Sequence, residues 1–306
     1  MANQPRLATE SIPGRRPYQE DSVFAQALAD SRTLIAVADG MGGHAAGDVA
    51  SSLAMKTLVT ELEAGKDLRE AFAAANERVH SQSSEPGKHG MGTTLVAAVV
   101  QGEEFTVANV GDSRCYLLTA DGISQLSEDH SFVAEAIKRG QSEEEAQASK
   151  FRDALTRSVG IDDEVEIDTF GPFPVETDTA LFLCSDGLYK VMGDARIREL
   201  FGQSAGPRGA AQSMVATAYE DGSDDNISVA IAEFGELKRD RAAGTARTDP
   251  PPFADDTASA YGTDGCEAVT PADARALASP HGHTRVTAIV TALIVAIALI
   301  YFLMMR

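Results

Sequence analysis

The sequence predicts an α+β fold, a sandwich of hairpin-connected strands with helices interleaved between them. Three observations carry this. Short apolar runs are joined by tight turns, as at Gln101-Gly-Glu-Glu104 and Asp121-Gly122, whereas a doubly wound parallel sheet needs a long crossover between successive strands. Amphipathic segments with apolar residues three and four apart flank the strand-rich middle. Hydrophobic residues make up 43% of the 306 positions, ample for a large core.

The elements follow in order. Residues 1–20 hold turn formers and no apolar run, so no secretory leader is expected there. Residues 22–29 read as a strand paired with 33–38. Val49, Leu53, Leu58 and Leu62 share a helical face over 45–63, which Gly65 stops. Asp67-x-x-Glu70 has the form of a helix start, and Leu68, Phe72, Ala75 and Val79 continue that helix. A meander of strands is expected at 93–100, 105–110, 115–119 and 123–126. Residues 131–139 and 143–157 read as polar helices with few apolar anchors, a candidate flap over 132–160. Strands at 165–170 and 179–185, helices near 195–201 and 208–220, and a last strand over 226–234 complete the body.

Two of these strands share a design. Leu34-Ile-Ala-Val-Ala-Asp-Gly40 and Leu181-Phe-Leu-Cys-Ser-Asp-Gly187 are apolar runs that each end in Asp-Gly. An isolated Asp-Gly is most simply a turn. Two strands presenting aspartates at the same end point instead to a polyanionic pocket, which is stable only when cations fill it. Formal net charge is −20, and residues 1–235 hold 19 Lys/Arg against 38 Asp/Glu, so the acidity sits in the body. That disfavours nucleic acid as a partner, because phosphate backbones require basic surface.

Cys115, Cys184 and Cys266 are too scattered for a disulfide framework or a zinc motif, and the first two lie in apolar runs as small buried hydrophobes. A cysteine-based phosphatase is also disfavoured, since position 190 is a lysine where a phosphate-cradling arginine is needed. From residue 236 the composition turns to Ala, Thr, Asp, Gly and Pro, the signature of a disordered tether over 236–285. As a flexible coil it would span about 40 Å. Val286 to Met305 is free of charge, and at 1.5 Å per residue such a helix is about 30 Å long, the thickness of a bilayer core. A single-pass membrane helix is expected there, with the body on the cytoplasmic side.

The remaining polar clusters are Arg16-x-x-Gln-Glu-Asp21, Asp39-Gly-Met-Gly-Gly-His44, Gly90-Met-Gly-Thr-Thr94, Gly111-Asp-Ser-Arg114 and Asp224-Asp-Asn-Ile-Ser228. Oxygen-only ligands suit Mg²⁺ or Mn²⁺ rather than zinc. An arginine beside clustered acids makes sense as a fork for phosphate, although Arg16 could equally be a surface ion-pair partner. Arg114 could pair with a neighbouring acid, Asp112 could cap a turn, and Asp224 and Asp225 could simply begin a strand.

In this order and spacing the motifs closely resemble the bacterial metal-dependent serine/threonine protein phosphatases of type 2C, over roughly residues 5–235. The resemblance implies a four-layer α/β/β/α sandwich of two antiparallel sheets flanked by helices. It implies two Mn²⁺ or Mg²⁺ ions and a more labile third. Asp39 would bridge two ions, the Gly40 carbonyl would ligate one, and Asp186 and Asp225 would complete the first site. Glu20 and Asp21 would hold the second, partly through water, and Asp112 with Asp186 the third. Arg16 would grip the substrate phosphate, and the nucleophile would be the metal-bridging water. Animal members carry a histidine directly after Asp-Gly, where this chain has Met41. His44 is the candidate general acid, with a structural or solvent-facing role as the alternative. The expected partners are phosphoprotein substrates of a serine/threonine kinase, met by a monomeric catalytic domain. A catalytically silent scaffold and a two-metal nuclease are the competing readings. Intact carboxylates speak against the first, the acidic body against the second.

Overall fold

Side chains on a strand alternate between faces, so a strand buried on both faces reads as a continuous apolar run. The computed structural model of the chain, which describes residues 4–42, 46–85 and 88–237, shows this in β3 (Thr33–Met41). Leu34, Ala36 and Ala38 face two helices, α1 (Ala46–Glu63) and α2 (Leu68–Ser83), while Ile35 and Val37 face the opposite sheet. The same split occurs in β11 (Ile227–Phe234). There Val229 and Ile231 meet α6 (Asp194–Gln203) and α7 (Pro207–Glu220), and Ala230, Ala232 and Phe234 point inward.

Three apolar cores separate four layers: helices, sheet, sheet, helices. One sheet has the order β1 (Arg6–Ile12), β11, β10 (Thr179–Cys184), β7 (Arg114–Leu118), β8 (Ile123–Gln125). The other runs β2 (Asp21–Ala27), β3, β5 (Leu95–Gln101), β6 (Glu104–Val110), β9 (Asp168–Pro174), with the short β4 (Gly92–Thr93) pairing on β3. All pairings are antiparallel. The expected α+β class is therefore observed, but the expected meander divides into two hairpins, β5–β6 in one sheet and β7–β8 in the other, because the chain crosses between sheets at the Gly111-Asp112 turn.

Some elements differ from expectation. Residues 6–12, read as turn-rich, form β1, whose only buried side chain is Ile12. As an edge strand it shows no apolar face. The Asp67 capping box starts α2 as expected, its side chain accepting from the Glu70 amide at 2.8 Å. Over 132–160 there are two helices as expected, α3 (Phe132–Lys138) and α4 (Glu143–Gln147), but the second stops at Gln147 instead of running to 157. Past Gln147 the chain turns back, and the Phe132 amide donates to the Ala154 carbonyl at 2.8 Å. A short helix α5 (Asp186–Tyr189) follows β10.

Packing continues to Leu237, just past the expected domain end. The tether from residue 238 onward and the expected span at 286–305 lie outside the described residues, as does Cys266. Among the described residues no helix is long and apolar enough to cross a membrane.

Candidate active site

The strand ends that carry Asp-Gly meet at one end of the sandwich. β3 delivers Asp39 and Gly40, β10 delivers Asp186 at the first residue of α5, and Asp225 stands just before β11. Asp112 comes from the turn between β6 and β7. Together with Glu20 and Arg16 these residues line a cleft of about 710 Å³. Asp21 sits behind the cleft wall, buried, and accepts from the Ser185 hydroxyl at 2.9 Å. Six acids separated by up to two hundred residues thus surround one place.

The glycine and threonine motifs hold this frame. The Asp39 amide donates to Thr94 Oγ1 at 2.9 Å, and the Thr94 amide returns a bond to the Asp39 carbonyl at 2.8 Å. Thr94 Oγ1 also meets Ser113 Oγ at 2.7 Å, tying the Asp112 turn to β3. Gly111 allows that approach, since a Cβ there would lie 2.6 Å from the Thr94 Cβ and its φ of +108° is unfavourable for other residues. At Gly40 a Cβ would lie 2.2 Å from the Gly47 carbonyl oxygen and 2.5 Å from that of Glu20.

Asn226 is a residue whose role sequence reasoning missed. Its Oδ1 accepts from the Glu20 amide at 2.8 Å, while Nδ2 donates to the carbonyls of Pro13 and Tyr18, each at 2.9 Å. It thereby shapes the whole loop carrying Arg16 and Glu20. Its place in Asp224-Asp-Asn-Ile-Ser228 was the available signal. Arg114, by contrast, takes its simpler reading: it forks onto Asp129, with Nη2 to Oδ2 at 2.7 Å, and lies over the Tyr189 ring. His44 lies outside the described residues.

Burial raises the Asp39 carboxyl well above its ordinary range, and the charges of Asp21, Asp186, Asp112 and Asp225 add to the effect. Asp21 is pushed up to about 7 by burial, against the stabilising Ser228 and Ser185 hydroxyls. Asp112 is likewise pushed up to about 7 by burial and then by Asp186, with Lys190 opposing. Asp225 and Glu20 are raised too, burial outweighing the nearby Arg16. Such clustering of perturbed acids marks functional sites.

Two cations are already engaged there. Arg16 Nη2 meets Asp225 Oδ2 at 2.8 Å and its Nε donates to the Asp224 carbonyl at 2.9 Å. Lys190 Nζ meets Asp186 Oδ2 at 2.6 Å. Among the described residues no three acids, histidines or cysteines close on one point at ligand spacing. Yet Asp21 Oδ1 and Asp186 Oδ1 are buried without a hydrogen-bond partner. Buried carboxylate oxygens lacking a donor, in an all-oxygen set, fit a hard divalent cation.

The antiparallel double sheet thus carries at its strand ends a cleft lined by carboxylates, an oxygen-only lining of the kind that suits divalent cations. Protein phosphatase 2C is the family that matches, over residues 8–160. The serine/threonine phosphatase Stp of Listeria innocua is 36% identical over 240 residues, covering 74% of this chain and 95% of that relative. The S. agalactiae serine/threonine phosphatase superposes with a TM-score of 0.70 at 28% identity, covering 75% of this chain and 99% of that one. The catalytic domain of the phosphatase PstP, solved with two manganese ions, gives 0.66 at 30% identity, covering 76% and 99%. The chain belongs to the protein phosphatase 2C family and is a protein serine/threonine phosphatase.

Proposed function

We propose that the cleft hydrolyses phosphoserine and phosphothreonine in proteins with the help of two divalent ions, Mn²⁺ or Mg²⁺, held by the residues that surround it. The observation that carries this is the pair of partnerless buried oxygens, Asp21 Oδ1 and Asp186 Oδ1, in a ring of raised carboxyls. Asp39 and the Gly40 carbonyl would be central ligands to these ions. Asp186 and Asp225 complete the first site, Glu20 and Asp21 support the second, and Asp112 with Asp186 offers a weaker third. Bound there, such ions lower the pKa of a water toward neutrality and stabilise both ends of an in-line displacement.

The chain's own residues supply the rest. Arg16 has its guanidinium on the cleft wall beside Asp225, where it can turn to receive the phosphate oxygens. Thr94 and Ser113 fix the relative positions of Asp39 and Asp112. His44 is proposed as the proton donor to the leaving serine oxygen, since imidazole titrates in the useful range. Release of phosphate from phosphoserine peptides should depend on Mn²⁺ and vanish in Asp39→Ala and Asp186→Ala. Activity persisting in a chelator would sink the metal reading.

We further propose that the run from Val286 to Met305 anchors the enzyme in a membrane, the 236–285 stretch serving as tether, so that the monomeric domain opposes a serine/threonine kinase at the cytoplasmic face. Length and freedom from charge support this. Removing residues 286–306 should shift the protein from the membrane fraction to the soluble one. Unchanged fractionation would refute the anchor.

A further inference from the structure

Lys190 is the cation engaged on the Asp186 side of the cleft, opposite the Arg16–Asp225 pair. It follows Asp186 by one helical turn, and its ammonium lies 2.6 Å from Asp186 Oδ2 and 3.7 Å from Asp153 Oδ1. Asp153 belongs to the segment after α4 and lines the same cleft. Asp112, the other acid on that side, also feels the Lys190 charge. A lysine is a compact point charge on a flexible stem, able to leave one carboxylate for another.

We propose that Lys190 is a built-in counter-ion that competes with divalent metal for Asp186 and so weakens metal binding on the Asp112 and Asp186 side of the cleft. This rests on the metal reading of the cleft given above. When an ion binds Asp186, two cations share one carboxylate and repel each other. Asp153 is the second carboxylate to which the displaced ammonium moves. The exchange lets the metal-free cleft remain folded with its acids partly neutralised, at the cost of affinity for its ions.

The test is calorimetric titration of the full chain with Mn²⁺, beside thermal unfolding with and without the metal. Lys190→Gln is expected to tighten the weakest Mn²⁺ step about tenfold, the scale of a partly screened charge at short range. It should also lower the melting temperature of the metal-free protein and leave the Mn²⁺-loaded protein at or above the wild-type value. Lys190→Arg, which keeps the charge, should bind Mn²⁺ as the wild type does. Asp153→Asn should weaken Mn²⁺ binding about threefold by confining the ammonium to Asp186, and should have no such effect in the Lys190→Gln background. Affinity of Lys190→Gln within twofold of wild type, or below it, overturns the proposal while leaving the metal reading intact. Asp186→Asn with undiminished Mn²⁺ binding at every step overturns both.

Discussion

Asp21 and Asp39 stand directly opposite each other on the paired strands β2 and β3. Like charges in register across a ladder repel, and here Asp21 is buried as well. A carboxyl raised in the folded state holds a proton that the unfolded chain gives up. Its contribution therefore favours folding least at high pH, with stability lost as pH climbs from 3.8 to about 7 for Asp21. The metal-free protein is accordingly expected to melt lower at pH 8 than at pH 5.5, and Mn²⁺ to raise the melting temperature more at pH 8. Asp21→Asn should flatten the metal-free slope. Scanning calorimetry across this range decides it, and a slope unchanged in Asp21→Asn would count against the assignment.

Asn226→Ala removes three hydrogen bonds that span the domain from β11 to the loop at 13–20. A cost of about 2–4 kcal/mol is expected from the unsatisfied groups left behind. Activity should fall further than stability alone explains, because Glu20 and Arg16 lose their placement. Urea unfolding together with phosphopeptide kinetics at saturating Mn²⁺ separates the two effects.

His130 is buried, with Nδ1 accepting from the Gly111 amide at 3.1 Å and Nε2 facing Asp168 Oδ2 at 3.2 Å. Burial lowers its pKa, the Arg157 charge helping and Asp168 opposing. A histidine lowered in the folded state contributes stability that is complete above its unfolded value of 6.5 and lost as pH falls toward the folded value. His130→Ala should cost about 2–4 kcal/mol at pH 7.5 and measurably less at pH 5.5. Equal losses at both values in urea titrations would contradict this account.

Gly40→Ala would drive a methyl group into the carbonyls of Gly47 and Glu20. Overpacking against backbone costs about 1–3 kcal/mol or more, and the strand end bearing Asp39 must shift. Loss of activity with retained secondary structure by circular dichroism is the expected result.

The strands were legible wherever burial on both faces wrote a continuous apolar run, as at 34–38 and 179–184, and the Asp-Gly ends of both line one cleft. β1 was not legible because an edge strand with one buried side chain has no pattern to read. The early end of α4 was missed because polar helices carry little periodic signal. The matching Asp-Gly strand ends already pointed to a shared pocket for Asp39 and Asp186, but the places of Glu20, Asp21, Asp112 and Asp225 in it came only through the family resemblance. Asn226 and Lys190 act through partners 206 positions upstream and one helical turn back, respectively, and only the first distance hides a role from sequence. For Lys190 the spacing to Asp186 was available, but at the surface such a pair is usually of little consequence.

The pairing of β1 with β11, and the grip of Asn226 on the 13–20 loop, mean that one wall of the cleft waits during synthesis for residues more than two hundred positions further along the chain. A nascent chain halted before residue 225 carries Arg16, Glu20, Asp39, Asp112 and Asp186 but no closed cleft to hold them. Synthesis itself thus holds the cleft open until β11 has been made, and a product terminated before residue 225 is expected to be inert rather than unregulated.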